Sequence, residues 1–325
     1  MLEATQTGSE YCDVVNEVID EIGKVILGKR DVIEAVLIAF LAGGHVLIED
    51  VPGTGKTTLA LALSRVTGLS YKRAQFTPDV MASDITGFTM YNKATDSFEY
   101  RPGLVMCNIL LADEINRTSP KTQSALLEAM EEYNVTVDGV THQIPNPFIV
   151  IATQNQQGYV GTFPLPEAQL DRFLIKVRIG YPSAAEEVDI ISQRKLFNPL
   201  AAVRQLLDAD VIPRIKRVVR EVHIEPAVYA YIVDLIRATR THTQVALGCS
   251  PRASLSLMRA AQAKAFVSGR DYVIPADAAT LFPYVAAHRL GLSQEAKLHR
   301  FTADKVVADV LASVRVPFSG SGAKR

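Results

Sequence analysis

Lys56 and Thr57 stand behind two glycines, Gly53 and Gly55, shortly after an apolar run from Val46 to Ile48. The order is strand, turn, then a helical pattern opening at Lys56, the setting that a phosphate-binding loop of the type G-x-x-x-x-G-K-[ST] requires. Gly53 and Gly55 put no side chain between the loop's backbone N–H groups and an anion. The helix N-terminus adds its partial positive charge at the same spot. Lys56 is then placed to reach the β- and γ-phosphates of ATP, and the Thr57 hydroxyl to complete a Mg2+ shell. Pro52, Thr54 and Thr58 make up the rest of the cradle. One position departs from the pattern: its first glycine is Asp50. Asp tolerates turn and left-handed backbone better than most residues, so the loop survives the change.

A second set of groups fits the same chemistry. The apolar run Ile109 to Ala112 ends in two adjacent carboxylates, Asp113 and Glu114. In phosphoryl transfer one acid orders Mg2+ and the next orients and deprotonates the attacking water, so Asp113 takes the first role and Glu114 the second. Coming about sixty residues after a phosphate loop, the pair carries a specificity it lacks alone. Another strand pattern, Phe148 to Thr153, ends in Gln154 and Asn155, a polar amide where it could hold the water or the γ-phosphate. Arg172, just before the last strand pattern, is either a surface ion-pair partner or a functional cation. Arg252, beside Pro251 at the start of a later helix, is a further candidate phosphate contact.

Periodicity shows the elements that must carry these groups. Val14, Val15, Val18, Ile19, Ile22, Val25 and Ile26 recur at helical spacing, predicting an amphipathic helix ended by Gly28, and Asp31 is placed to cap a second helix through Ile38. The apolar end of the first helix either holds a nucleotide base or simply packs. After the loop, a helix runs to about Val66 with Gly68 as its stop, and Tyr71 to Phe76 reads as a strand. Ile85 to Tyr91 and Ser97 to Arg101 predict a hairpin around Asn92–Asp96. Its Phe88, Met90, Phe98 and Tyr100 form a contact surface or cover the sheet. Ser119 and Pro120 open a helix in cap-then-proline order. Val135 to Thr141 alternates around Asp138–Gly139, a second hairpin.

Beyond Pro182 the strand patterns stop. Ser183 and Glu186 form a capping box, and helices follow near 184–196, 209–221, 226–241, 251–268, 275–290 and 303–315. Arg214, Lys216, Arg217 and Arg220 share one helix and read as a solvated basic face. The expected division is an α/β nucleotide-binding domain with its N-terminal helix over 1–182, a helical domain over 183–318 and a frayed tail over 319–325.

Composition agrees with a globular enzyme. The 325 residues are 48% hydrophobic and 21% charged, enough to bury a sizeable core. A net charge of −1 gives no electrostatic footprint for nucleic acid or an anionic membrane. Cys12, Cys107 and Cys249 form no C-x-x-C and read as buried thiols in a reducing cytoplasm. No run is long and apolar enough for a membrane span, and the N-terminus lacks a basic signal-peptide start.

The block from Ala112 through Asp113, Glu114, Ile115, Asn116, Arg117, Ser119, Pro120 and Gln123 to Glu132 closely resembles the MoxR family of AAA+ ATPases. So do Ala152–Asn155, Leu165–Phe173 and Ser250–Ala253, and the likeness runs from about Gly28 to Arg289. The resemblance implies a five-stranded parallel sheet in order 5-1-4-3-2, hairpin insertions and a C-terminal helical lid. It implies Walker A at Lys56 and Thr57, Walker B at Asp113 and Glu114, sensor 1 at Asn155, an arginine finger at Arg172 and sensor 2 at Arg252. Gln156 stands where the family usually has Pro, which puts the shape of the sensor loop in question.

Members of that family resemble chaperones that mature or activate partner complexes, often partners with von Willebrand A domains. The leading expectation is therefore an ATP-hydrolysing hexameric ring acting on a protein. A nucleic-acid motor is the first alternative, disfavoured by the neutral charge and by the absence of Lys or Arg from Val135 to Ile144. A chelatase-type motor for metal insertion is the second. A nucleotide-gated scaffold that barely hydrolyses is the third, and the presence of Glu114, Asn155 and Arg172 speaks against it.

Overall fold

The computed structural model describes residues 8–154, 162–196 and 198–317. α1 (Gly8–Gly23) and α2 (Arg30–Leu41) lead into β1 (Val46–Glu49), and α3 (Lys56–Thr67) follows the glycine loop. Next come β2 (Tyr71–Gln75), α4 (Ala82–Thr86), β3 (Gly87–Asn92), β4 (Ser97–Pro102) and β5 (Ile109–Asp113). α5 (Pro120–Glu132), β6 (Asn134–Val137), β7 (Val140–Gln143), β8 (Ile149–Gln154), α6 (Glu167–Leu170) and β9 (Ile175–Val177) complete this half. The rest is α7 (Ala184–Leu196), α8 (Ile212–Glu221), α9 (Pro226–Thr241), β10 (Val245–Leu247), α10 (Pro251–Val267), α11 (Pro275–Ala286), β11 (Gly291–Leu292), α12 (Gln294–Leu298) and α13 (Ala303–Ser313).

One parallel sheet runs β2-β5-β8-β1-β9. Counting its strands alone, this is the expected 5-1-4-3-2. Its central strands β1, β5 and β8 are covered on both faces, so they read as nearly unbroken apolar runs, whereas the edge strand β2 is polar and half-exposed. The alternation survives in the packing. Val46, Ile48, Ile109, Leu111, Ile149 and Ile151 face α1–α3 and the C-terminal helices. Leu47, Leu110, Ala112, Val150 and Ala152 face the opposite way, with Ile85, Leu126, Leu127 and Phe173. The first of these cores is continuous from α1 and α2 through α8, α10 and α11, which sets the C-terminal helices against the sheet.

Both predicted hairpins form, β3 with β4 and β6 with β7. Asp138 (φ 50°) and Gly139 (φ 80°) make the tight turn of the second. The hairpins meet where the Tyr100 ring stacks on His142 at 3.7 Å. Ser119 caps α5 by accepting from Thr122 N, and Ser183 and Glu186 bond reciprocally at the start of α7. All three cysteines are buried free thiols, and burial pushes Cys107 up to about 11. Among the described residues, no helix is long and apolar enough to cross a membrane.

Several boundaries differ from the sequence reading. α1 ends at Gly23, not Gly28, since Gly is a poor helix former. Val25 and Ile26 therefore sit on a turn. Lys29, not Asp31, takes the cap position of α2, and Asp31 lies in its first turn. Ile85 belongs to α4, because the strand starts only at Gly87, where φ is +91°. Beyond Pro182 a small antiparallel ribbon, β10 with β11, joins the helices. It is too short to show alternation in sequence.

Lys216 departs from the solvated face assigned to it. Arg214, Arg217 and Arg220 are exposed, but Lys216 is buried with its ammonium 4.4 Å from the Phe40 ring centroid. Burial, reinforced by Arg220, pushes its pKa down to about 7. The folded state then binds this proton more weakly than the unfolded chain. The resulting penalty is full below about pH 7 and fades as pH rises toward 10.5. Lys216→Met is expected to stabilise the fold by ~1–3 kcal/mol near pH 7, net of a lost cation–π contact. The gap from wild type should shrink by pH 10. Urea titrations at the two pH values check it, and a pH-independent gap would refute the assignment.

Candidate active site

The loop between β1 and α3 is shaped by two glycines in the left-handed region, Gly53 at φ 86° and Gly55 at φ 94°. Gly55 is also the cap residue of α3, so the helix begins at Lys56 and its N-terminus faces the loop. The buried Lys56 Nζ donates to the carbonyls of Asp50 (3.1 Å) and Val51 (3.0 Å). Thr54 Oγ1 donates to Val51 O at 3.3 Å.

Asp50 does something other than tolerate a turn. Its φ is not positive. One carboxylate oxygen accepts from its neighbour Val51 N (2.8 Å), and the other from Ile179 N (2.8 Å) and Gly180 N (2.7 Å). It thus ties the start of the phosphate loop to the chain leaving β9. Asp50→Gly would restore the sequence pattern yet orphan these N–H groups. It is expected to destabilise the fold by ~2–4 kcal/mol, since each buried unpaired donor costs ~1–3 kcal/mol. Asp50→Asn should lose about half of that. Denaturant unfolding within ~0.5 kcal/mol of wild type for Asp50→Gly would contradict the tether.

A cleft covers the loop. Its outer part, about 410 Å3, is bordered by Pro52, Lys56, Thr57, Arg73, Asp113 and Glu114. Its inner part, about 520 Å3, reaches under Ile26 and Leu27 and over Thr54, Ile179 and Ile190. The two share Gly53, Gly55 and Thr58, and each volume is in the range of ligand sites. The apolar turn after α1 therefore borders the cleft, while Ile26 is also buried in the core.

Asp113 and Glu114 reach the cleft from β5. Asp113 accepts from Thr153 Oγ1 at 2.6 Å and pairs with Arg73 at 2.8 Å. Glu114 has left-handed backbone (φ 58°), uncommon for a non-glycine residue, and its N–H donates to Thr153 Oγ1 at 2.8 Å. Gln75 Nε2 and Arg117 Nη1 donate to its carboxylate, each at 2.9 Å. Thr57 and Asp113 are hard oxygen donors bordering one space. Among the described residues no group of three or more His, Cys, Asp or Glu could hold a metal unaided. That donor set fits Mg2+, which takes one or two protein oxygens and completes its shell with phosphate and water.

Asn155 and Gln156 lie outside the described residues. Gln154 donates to Glu49 at 3.0 Å. Neither Arg172 nor Arg252 borders the cleft. Arg172 donates to Leu127 O at 2.6 Å and pairs with Glu131 at 3.2 Å, and Arg252 pairs with the other oxygen of Glu131 at 2.9 Å. Arg172 precedes β9, so it stands at the N-terminal end of the parallel strands, whereas the phosphate loop leaves their C-terminal end. Asp171 beside it accepts from Ser250 Oγ, the cap of α10, at 2.8 Å and from Arg289 at 2.7 Å. The two arginines thus form one unit across the sheet and the helical part. Arg252 is not brought to this chain's own phosphate loop, contrary to a contact within one subunit.

The sequence reading missed Arg73, Gln75, Thr153, Glu131, Asp171 and Arg289. Arg73 and Gln75 alternate along β2 up to the strand end beside Asp113. Their period-2 spacing would have flagged them once β2 was set next to β5.

This sheet order, with a phosphate loop and an acid pair over one cleft and helices docked against it, defines a AAA+ ATPase. The profile of the ATPase family associated with various cellular activities (AAA) matches residues 45–175, and that of the AAA lid domain matches 237–310. The uncharacterized protein YeaC of Bacillus subtilis is 49% identical, covering 96% of this chain and 97% of that protein. Chaperone MoxR1 of Mycobacterium tuberculosis is 41% identical, covering 91% and 81%. A crystal structure assigned as an ATPase, from Cytophaga hutchinsonii, superposes with a TM-score of 0.88 at 36% identity over 95% and 97% of the two chains. The chain belongs to the MoxR family of AAA+ ATPases.

Proposed function

We propose that this protein hydrolyses ATP to ADP and phosphate with Mg2+, in a cytoplasmic ring of its own copies, six being the expected number, and uses the cycle to remodel or activate a protein partner. The observation that carries this reading is the meeting of Lys56, Thr57, Asp113 and Glu114 in one cleft while Arg172 and Arg252 stand together at the opposite end of the strands. In this reading Lys56 neutralises the outer phosphates, Glu114 takes the proton of the attacking water, and Asn155 helps hold that water. Thr57 and Asp113 would hold Mg2+, which supplies charge neutralisation on the phosphates when bound. Arg172, with Arg252 beside it, serves the neighbouring subunit's nucleotide.

The division at 1–182, 183–318 and 319–325 is carried with the proposal, the middle segment acting as a lid. A protein partner is supported by the chaperone name of the Mycobacterium relative and by the first hairpin, whose Phe88, Met90, Tyr91 and Phe98 are exposed. A partner with a von Willebrand A domain is the class to test first. The neutral net charge favours protein over nucleic acid.

Lys56→Ala tests the site itself. Losing a cation hydrogen-bonded to phosphate should weaken MgATP binding by about 10–150-fold. Calorimetry on the folded variant measures it, and undiminished affinity would remove this loop as the nucleotide site.

A further inference from the structure

Arg73 lies on β2 and points into the phosphate end of the cleft, where the nucleotide reading has no use for it. Its Nη2 lies 2.8 Å from Asp113 Oδ2 and 3.2 Å from Gln75 Oε1. Gln75 in turn donates to Glu114. One guanidinium nitrogen is therefore tied to the acid expected to meet the metal and, through Gln75, to the acid expected to meet the water. Asp113 is nearly buried, its side chain 13% exposed, whereas that of Arg73 is 47% exposed. Such a half-exposed pair is weak and easily exchanged. A carboxylate facing a polyphosphate with no cation beside it would repel the ligand.

We propose that Arg73 is a stand-in cation for Mg2+: it neutralises Asp113 before the metal arrives and gives up that carboxylate when MgATP enters. The inference rests on the nucleotide reading of the cleft. Arg73 competes with the metal for one oxygen and also shields incoming ATP from the charge of Asp113. Removing it has two opposite effects. Metal-free ATP should bind more weakly, because the phosphates then face a bare carboxylate. Less Mg2+ should be needed to reach half-maximal ATP binding, by up to about fivefold, the most that a half-exposed pair supplies. A side chain that only braced the sheet would weaken ATP binding equally with and without metal.

The experiment is calorimetric binding of ATP in EDTA and across a Mg2+ titration, on full-length wild type, Arg73→Gln and Arg73→Lys, with folding verified by thermal melts. The ratio of affinities with and without Mg2+ should widen in Arg73→Gln and return toward wild type in Arg73→Lys, which keeps a cation within reach. An unchanged or narrowed ratio in Arg73→Gln overturns the proposal, as does a lysine variant indistinguishable from the glutamine one. Should Arg73→Gln fail to fold, the lysine variant decides: a wild-type ratio supports the stand-in role, and a widened one overturns it. If wild type binds no ATP with Mg2+ present, the nucleotide reading falls and takes this inference with it. If wild type binds normally and only the ratio fails to move, the inference alone falls.

Discussion

Arg172→Ala is expected to bind ATP almost as wild type does and to hydrolyse it about 10³–10⁵ times more slowly, the usual worth of an arginine finger. In free energy that is ~4–7 kcal/mol of transition-state stabilisation, at ~1.4 kcal/mol per decade. Binding should survive because Arg172 does not border its own cleft and rests instead on Leu127 O and Glu131. Slow turnover alone would not tell whether the finger serves its own subunit or a neighbour. A mixture with Glu114→Gln does. The first variant has a complete cleft and no finger, and the second has a finger and a disabled cleft. If fingers act between subunits, random assembly of a head-to-tail ring makes about a quarter of the interfaces productive. Activity then returns on mixing two nearly inactive proteins. A mixture no more active than its parts, with mixed rings confirmed by mass, would refute the shared site.

Glu114→Gln should keep MgATP binding and lose turnover by about 10²–10⁴-fold, the typical contribution of a positioned base. Asp113 keeps its bonds to Thr153 and Arg73 in this variant, so the metal side of the cleft is unaltered. The amide can still accept from Gln75 or Arg117, so the side chain should stay in place while losing its basicity. Single-turnover phosphate release and equilibrium ATP binding on one preparation separate the two properties. Binding lost in parallel with turnover would mean that Glu114 shapes the nucleotide site rather than acting on water. The variant should also hold the ring together in ATP, and light scattering that reports a monomer would contradict that.

Much of the site is legible in the sequence because its parts are local to one another along the chain. The glycine loop places Lys56 and Thr57 next to a helix N-terminus within a few residues, and no distant contact is needed to form that geometry. Asp113 ends one strand and Glu114 follows it directly, so their shared place at the strand end comes with the strand itself. Capping by Ser119 and the tight turn at Asp138–Gly139 belong to the same class of short-range signal. Local propensity fails where the chain answers to something farther away. Asp50 leaves the glycine pattern to hold the N–H groups of Ile179 and Gly180, and Lys216 interrupts a basic face to lie on Phe40 of another helix.

The fold class, the phosphate loop and the acid pair thus follow from the order of residues along the chain, since each depends on neighbours a few positions away. The partners of those groups do not. Arg73 meets Asp113 only because β2 packs beside β5 in one register, and Thr153 meets both acids only because β8 lies on the other side. Arg172 and Arg252, eighty positions apart, share Glu131 only because the helical part docks on the sheet through a continuous apolar core. Long-range pairing of this kind is set by burial of the whole sheet and by which strands end up adjacent. Spacing along the chain carries no record of that choice.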